Sequence, residues 1–137
     1  MWIVYALLSA VFAALVAILG KFGVKDVDTT LATAVRAVVM AAFLVTAALS
    51  LGKGALLQQL TSKPLLFIAL SGLAGAVSWL FYFLALKQGP ASGVAALDRL
   101  SVVFVIILAA VFLAEKLTAI KLAGAVLLTV GAILIVL

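Results

Sequence analysis

The sequence predicts an all-α integral membrane protein, a bundle of five transmembrane helices with its N- and C-termini on opposite sides. Of its 137 residues, 69% are hydrophobic and only 9% are charged, whereas apolar residues make up roughly 45–50% of a soluble domain. The apolar residues form continuous runs without apolar/polar alternation, which disfavours a membrane β-barrel and favours helices. Lipid is therefore the predicted surrounding of most of the chain.

Five apolar runs have the length of about 20 residues that a helix needs to cross roughly 30 Å of hydrocarbon. They cover residues 2–20, 30–51, 65–86, 91–114 and 119–137, and almost nothing of the chain is left over. We therefore predict a single five-helix transmembrane domain over residues 1–137. The first run follows no positively charged segment and is too long for a secretory signal, so we predict that it is the first helix of the mature protein.

Short polar segments separate the predicted helices. The first, "GKFGVKDVDTT", marks an aqueous turn in which Thr29 or Thr30 is expected to cap the second helix. The segments "SLGKGALLQQLTSKP", "KQGP" and "AEKLTAIK" follow the second, third and fourth runs in turn. These segments are too short to form a soluble domain.

The composition removes most kinds of enzyme chemistry. The chain has no cysteine and no histidine, and this excludes disulfides, thiolate chemistry, imidazole catalysis and the usual zinc ligands. Asp98 and Glu115 are predicted to lie toward opposite faces of the membrane, so they cannot act together on one bond. We therefore predict no catalytic residues, no metal, no cofactor and no enzymatic activity.

The net charge of +5 does not predict a nucleic-acid partner, because the nine basic residues are dispersed along the chain. They are better explained as loop residues that anchor the helices among the lipid headgroups. Membrane lipids are therefore a predicted partner, and nucleic acid is not.

The lysines outside the membrane give no clear orientation under the positive-inside rule. Loops on the side of the N-terminus carry Lys53, Lys63, Lys116 and Lys121, and loops on the other side carry Lys21, Lys25 and Lys87. The count is four against three, and adding Arg36 and Arg99 to the second side makes it four against five. Such a balance predicts a chain that inserts both ways up; the alternative is a fixed orientation set by other features.

Charged residues inside the predicted spans are candidates for function, because intramembrane ionisable side chains usually face a bundle interior or a water-filled cavity. Arg36 and Asp98 each lie about seven residues from a helix start, roughly 10 Å inside, and both helices start on the same side. We therefore predict that Arg36 pairs with Asp98, with Arg99 joining the pair or extending outward. The alternative is a buried ion pair that only fixes helix packing.

Two further patterns mark candidate residues. Trp79 and Tyr82 are three residues apart on nearly one helix face, where they could line a cavity for an apolar or cationic molecule or could anchor the helix at the interface. Gly124 and Gly131 are two turns apart in the last helix. Small residues on one stripe permit close approach of membrane helices, so these glycines are the predicted contact between subunits.

The stretch "AALDRLSVVFVIILAAVFLAEKLTAIKLAGAVLLTVGAILI" resembles the end of an EamA-type repeat of the drug/metabolite transporter superfamily. The residues that carry the resemblance are Glu115, Leu117, Thr118, Gly124 and Gly131.

Upstream, "AILGKFGVKDVDTTLATAVRAVVMA" resembles the first two helices of that repeat, with Lys21 and Arg36 where the family often has basic residues. Ser101 stands where the family commonly has a proline that breaks the fourth helix, so this chain lacks the residue expected to cause a break.

The resemblance implies one half of an inverted-repeat transporter fold, because most EamA-type transporters contain two such repeats in opposite orientations and this chain has one. Two copies inserted oppositely would recreate that symmetry around a shared site. The expected function is therefore transport of a small metabolite or drug-like solute by alternating access, as an antiparallel homodimer in the inner membrane of a prokaryote.

The candidate residues for solute binding or coupling in such a transporter are Arg36, Trp79, Tyr82, Asp98, Arg99 and Ser101. The competing hypothesis is a non-transporting accessory subunit, or one half of a heteromeric carrier, in which the intramembrane charges are structural.

Overall fold

The computed structural model describes residues 1–59 and 61–137, and all regular secondary structure in these ranges is helical. The helices are α1 Trp2–Gly23, α2 Thr29–Ser50, a 3₁₀ helix Lys53–Gln59, α3 Ser62–Gln88, α4 Ala91–Asp98, α5 Ser101–Phe112 and α6 Ala119–Val136.

Within the described residues, five segments are long and apolar enough to cross a membrane, when α4 and α5 are taken together as one span, Ala91–Phe112. Most of their large apolar side chains are exposed. An extensive exposed apolar surface is unfavourable in water and is suited to the hydrocarbon core of a membrane. The predicted fold class, an all-α membrane protein with five spanning helices, is confirmed.

The second and last spans begin with side-chain caps. The carboxylate of Asp28 accepts a hydrogen bond from the Leu31 amide at 2.9 Å, and the Thr118 hydroxyl accepts one from the Lys121 amide at 3.2 Å. The prediction that Thr29 or Thr30 caps the second helix was wrong. An aspartate one position earlier satisfies the free amide of the first turn, and Thr29 is already helical.

The fourth predicted helix is interrupted at Arg99 and Leu100. The amides of Leu100, Val102 and Val103 donate to the carbonyl groups three residues earlier, at 2.9 to 3.0 Å. This is 3₁₀ bonding, which winds the chain more tightly than an α-helix does. Helical continuity therefore persists through the span, but its α-helical bonding stops between α4 and α5 although Ser101, and not proline, follows the interruption.

The chain divides into two compact units. The terminal unit comprises Met1–Lys21 and Gln88–Leu137, and in it α4 and α5 both pack against α6. Gly93 of α4 lies so close to α6 that a Cβ atom there would be 3.6 Å from Val136. The ammonium group of Lys21 donates to the Gly89 carbonyl at 2.8 Å, which places a cation beside the carbonyl oxygen that precedes Pro90.

The middle unit, Phe22–Lys87, contains α2, the 3₁₀ helix and most of α3. Two threonines of α2 are buried, and the hydroxyl of Thr33 donates to the Thr29 carbonyl at 2.7 Å. This bond satisfies the hydroxyl inside the helix itself. Just before α2, the Val27 carbonyl accepts a hydrogen bond from the ammonium group of Lys87 at 2.9 Å.

The link between α5 and α6 is a tight turn around Ala114, which has a positive φ of 53°. The next amide, that of Glu115, turns back to donate to the Ala109 carbonyl at 3.2 Å. The Glu115 carboxylate also pairs with Lys121 at 3.2 Å, with both side chains about half exposed. Exposed pairs contribute little to stability, so the turn is fixed mainly by its backbone.

Candidate functional site

A groove of about 640 Å³ runs between α2 and α3 in the middle unit. Most of its wall is made of small or apolar side chains. The lining residues are Thr30, Thr33, Ala34, Arg36, Ala37, Met40, Ala41, Leu44, Gly72, Gly75, Ala76, Trp79 and Leu80. Because cavities of roughly 300–1,000 Å³ hold small-molecule ligands in proteins, the α2–α3 groove has the size of a solute site.

Small residues create this space. Ala34, Ala37 and Ala41 follow one another at helical spacing on α2, and Gly72 and Gly75 do so on α3. A Cβ atom added at either glycine would meet nothing within 4 Å. The two helices therefore face each other across open volume, whereas larger residues at these positions would fill the groove.

Among the described lining residues, the charged group is the Arg36 guanidinium, and it lies over an aromatic ring. Its central carbon is 3.6 Å from the centroid of Trp79 and 5.7 Å from that of Phe83. This is cation–π geometry, in which the negative face of the ring attracts the cation. Arg36 is held from α3, although it belongs to α2.

An edge-to-face cluster holds the Trp79 ring in place. The centroid of Trp79 is 5.2 Å from that of Tyr82, at an interplanar angle of 75°, and 5.9 Å from that of Phe83, at 60°. Such T-shaped contacts are the preferred arrangement of aromatic pairs. Phe83 is buried, so the cluster is a fixed support for the guanidinium.

The other polar side-chain groups of the groove are two hydroxyls and the indole N–H of Trp79. Thr33 uses its proton in the bond to Thr29, and Thr30 lies one turn and a half before Arg36 on the same helix. The described lining residues include no acidic side chain. The groove therefore has a mostly apolar wall with one positive charge, two hydroxyl groups and one indole N–H.

Three predicted residues lie together in the terminal unit. Asp98 is the last residue of α4, Arg99 is its C-cap and Ser101 is the first residue of α5, and all three are exposed. They surround the 3₁₀ interruption of the fourth span. Arg36 and Asp98 belong to different units, and their predicted pairing stays a prediction.

The predicted subunit contact also stays a prediction. Gly124 and Gly131 lie on α6, and an added Cβ atom would meet nothing within 4 Å at either position. Both positions are thus open within the described structure. That openness is compatible with the close approach of a second helix.

The sequence interpretation singled out Arg36, Trp79 and Tyr82, but it did not predict that the first two stack on each other. It also missed Thr30, Thr33 and the alanine stripe of α2 as groove residues. A usable signal was present, because small residues at a spacing of three and four recur on both helices. In alanine-rich helices this spacing also arises by chance, which hid it.

Five spanning helices with a solute-sized groove define a multi-pass membrane protein. The family model described as the EamA-like transporter family matches residues 1–137. The chain therefore belongs to the EamA-like transporter family, and it is a membrane transporter.

A curated relative supports this membership. A protein of Sinorhizobium sp. named "Uncharacterized transporter in cobO 3'region" is 42% identical over 134 residues, which are 98% of this chain and 95% of the relative. No solved structure matches the chain.

Proposed function

We propose that the protein moves a small metabolite or drug-like solute across the inner membrane of a prokaryote by alternating access, as an antiparallel homodimer. The observation that carries the proposal is the α2–α3 groove, which offers about 640 Å³ inside membrane-spanning helices. A groove between membrane-spanning helices gives a solute a binding site within the membrane. The bacterial source of the relative supports the location.

The antiparallel arrangement rests on the chain's five crossings and its near-balanced lysines. Many transporters use two inverted halves around a midplane site, so that a rocking motion exposes the site to each side in turn. A five-helix chain supplies one such half. A second copy inserted the opposite way supplies the other, and Gly124 and Gly131 of α6 are the proposed contact surface.

Arg36, Trp79 and Tyr82 are the proposed solute-binding residues, because the guanidinium lines the groove and the aromatic cluster supports it. Asp98, Arg99 and Ser101 are the proposed coupling residues. They flank the 3₁₀ stretch between α4 and α5, and a short 3₁₀ segment within a helix often marks a functional hinge. In this proposal the fourth span bends there as the site changes sides.

Solute flux into liposomes that contain only this chain tests the proposal. A broad panel of labelled metabolites should include at least one that enters faster than into protein-free liposomes. Gly75→Leu should lower that flux, because the new side chain fills the groove and an added Cβ atom meets no neighbour within 4 Å.

The matched control is Ser71→Leu, one turn away on α3 and outside the groove lining, which should leave the flux unchanged. If no solute of the panel enters, the chain alone is not a transporter, and an accessory role or one half of a heteromeric carrier replaces the proposal.

A further inference from the structure

We infer that the α2–α3 groove binds an organic monocarboxylate, with its carboxylate on the Arg36 guanidinium and its apolar body along the alanine- and glycine-lined wall. The transport of that solute rests on the proposed function, but its binding does not. The groove lies wholly within the middle unit. Four features of the groove support the inference.

First, the contact with Trp79 leaves the guanidinium able to bind a carboxylate. Its central carbon lies 3.6 Å from the Trp79 centroid, so the ring covers one side of the group. Its N–H groups lie in its own plane, and they are the groups that form two parallel bonds with a planar carboxylate. Arg36 is only partly buried, so a ligand can reach those donors from the groove.

Second, the described groove lining provides no counter-charge. None of the described residues that line the groove is acidic, so the groove wall supplies no carboxylate to the Arg36 guanidinium. Asp28, the acid nearest to it in sequence, caps α2 through the Leu31 amide. A charge inside a membrane is stabilised by an opposite charge, so an anion in the groove would be bound favourably.

Third, the groove disfavours a cation. From the sequence, the ligand beside Trp79 could be either apolar or cationic. In the structure, Arg36 already occupies one face of the Trp79 ring. A second cation in the groove would meet the guanidinium at short range in a medium of low dielectric constant, where repulsion is strong. One positive charge also selects a monoanion, because a second negative charge would stay unpaired.

Fourth, the remaining wall requires an apolar body. Beyond Arg36 and the two threonines, the lining consists of alanine, glycine, leucine, methionine and tryptophan. A fully polar solute would lose its water there without gaining hydrogen bonds, which is unfavourable. A carboxylate at one end and a hydrocarbon or aromatic body at the other match both parts of the groove.

The chain contains a reporter for the test. It has two tryptophans, Trp2 and Trp79, so in the Trp2→Phe protein all tryptophan fluorescence comes from the ring beneath Arg36. This full-length protein is placed in phosphatidylcholine nanodiscs, which offer no anionic lipid. Three carboxylates of rising length, benzoate, phenylacetate and 3-phenylpropionate, are titrated against neutral 3-phenylpropanamide and cationic 3-phenylpropylamine.

The inference predicts saturable fluorescence changes with at least one carboxylate and none with the amide or the amine. Arg36→Gln should weaken the binding of that carboxylate by about tenfold or more, since charge-assisted bonds are lost. Arg36→Lys keeps the charge without the planar fork and should bind with intermediate affinity. Lys63→Gln removes a cation of the same unit outside the groove lining and should change nothing.

Equal binding of the amide or the amine, full binding to Arg36→Gln, or no binding by any of the three carboxylates would overturn the inference. Adding phosphatidylglycerol should leave the affinity for the carboxylate unchanged. Displacement of the carboxylate by this lipid would overturn the inference and assign the groove to a lipid headgroup. If Arg36→Gln does not fold, the comparison of carboxylates with the amide decides alone.

Flux measurements separate this inference from the proposed function. Flux of an uncharged or cationic solute without carboxylate binding would leave the transporter proposal standing and remove the monocarboxylate. Carboxylate binding without flux of any solute would support the monocarboxylate site and contradict the transporter proposal.

Discussion

Arg36 is a permanently charged side chain about seven residues into α2, roughly 10 Å along the helix from its first residue. A charge at that depth is unfavourable in hydrocarbon. The Trp79 ring offsets part of this cost by cation–π attraction at 3.6 Å. Guanidinium also suits this position better than an ammonium group would, because it is more weakly hydrated and stacks on flat rings.

The first residue-scale prediction follows from that stacking. Trp79→Leu should lower the free energy of unfolding in mixed micelles by about 0.5–2 kcal/mol beyond the cost of lost apolar contacts, since Arg36 loses its ring. Trp2→Leu is the control, because Trp2 is 77% exposed near the chain's start and supports no cation. Equal losses for the two variants would show that the stacking contributes nothing.

The second residue-scale prediction concerns Asp98. Asp98→Asn should abolish or uncouple solute flux while the melting temperature stays unchanged, because the amide keeps the size of the side chain but cannot ionise. Glu115→Gln, which removes the carboxylate of an exposed ion pair, should keep its flux.

A different outcome would give Asp98 a structural role. If Asp98→Asn instead destabilises the protein by about 3–5 kcal/mol and Arg36→Gln restores stability, the two residues form the structural ion pair that the sequence left open.

At the scale of the elements, hydropathy was sufficient to predict all five spans, because a helix in hydrocarbon must be apolar for about 20 residues. Helix termini were harder. Asp28 and not Thr29 caps α2, since several polar residues in a row can each serve as caps. The interruption at Arg99 and Leu100 was missed, because α- and 3₁₀-helical bonding use similar backbone angles and the sequence does not separate them.

Part of the candidate site could also be predicted from the apolar character of the chain. Charges and aromatic residues are rare in such a chain, so Arg36 and Trp79 stood out individually. Which residues meet across two helices depends on the rotation of each helix about its axis. Alanine-rich helices, with apolar residues on every face, give no clear indication of that rotation.

The element-scale prediction concerns the start of α5. The Ser101 amide donates no backbone hydrogen bond among the described residues, and the first position of a helix tolerates proline. Ser101→Pro loses no backbone hydrogen bond but is opposed by the α-helical backbone angles of Leu100. It should therefore cost less unfolding free energy than Val105→Pro, within α5, which should cost about 3 kcal/mol or more. Thermal unfolding in micelles measures both. Similar losses would mean that the fourth span is a continuous α-helix.

At the scale of the whole molecule, the odd number of spans and the lysine balance act together. Lys21, Lys87 and Lys121 bond to groups within their own units, and each belongs to a loop that counts toward orientation. With four lysines against three, no side dominates. In the proposed function, one sequence then provides both inverted halves of a transporter.

The whole-molecule prediction is that orientation can be fixed by few charges. Two lysines added to the loop at residues 20–29 should fix one orientation, and two added to the loop at residues 52–64 should fix the other, because short loops rich in lysine stay on the cytoplasmic side. Each variant alone should lose flux, and co-expression of the two should restore it. Full flux from either variant alone would exclude an obligatory antiparallel pair.

Because the chain has no cysteine, a single introduced thiol reports the orientation of the protein in the membrane. Ala55→Cys places a single thiol in an exposed position of the loop between α2 and α3, and a membrane-impermeant maleimide is applied to intact cells and then to permeabilised cells. For an antiparallel homodimer we expect about half of the thiols to react in intact cells and the rest to react only after permeabilisation, because the two copies are inserted in opposite orientations. Labelling of all or none of the thiols in intact cells would contradict the antiparallel homodimer.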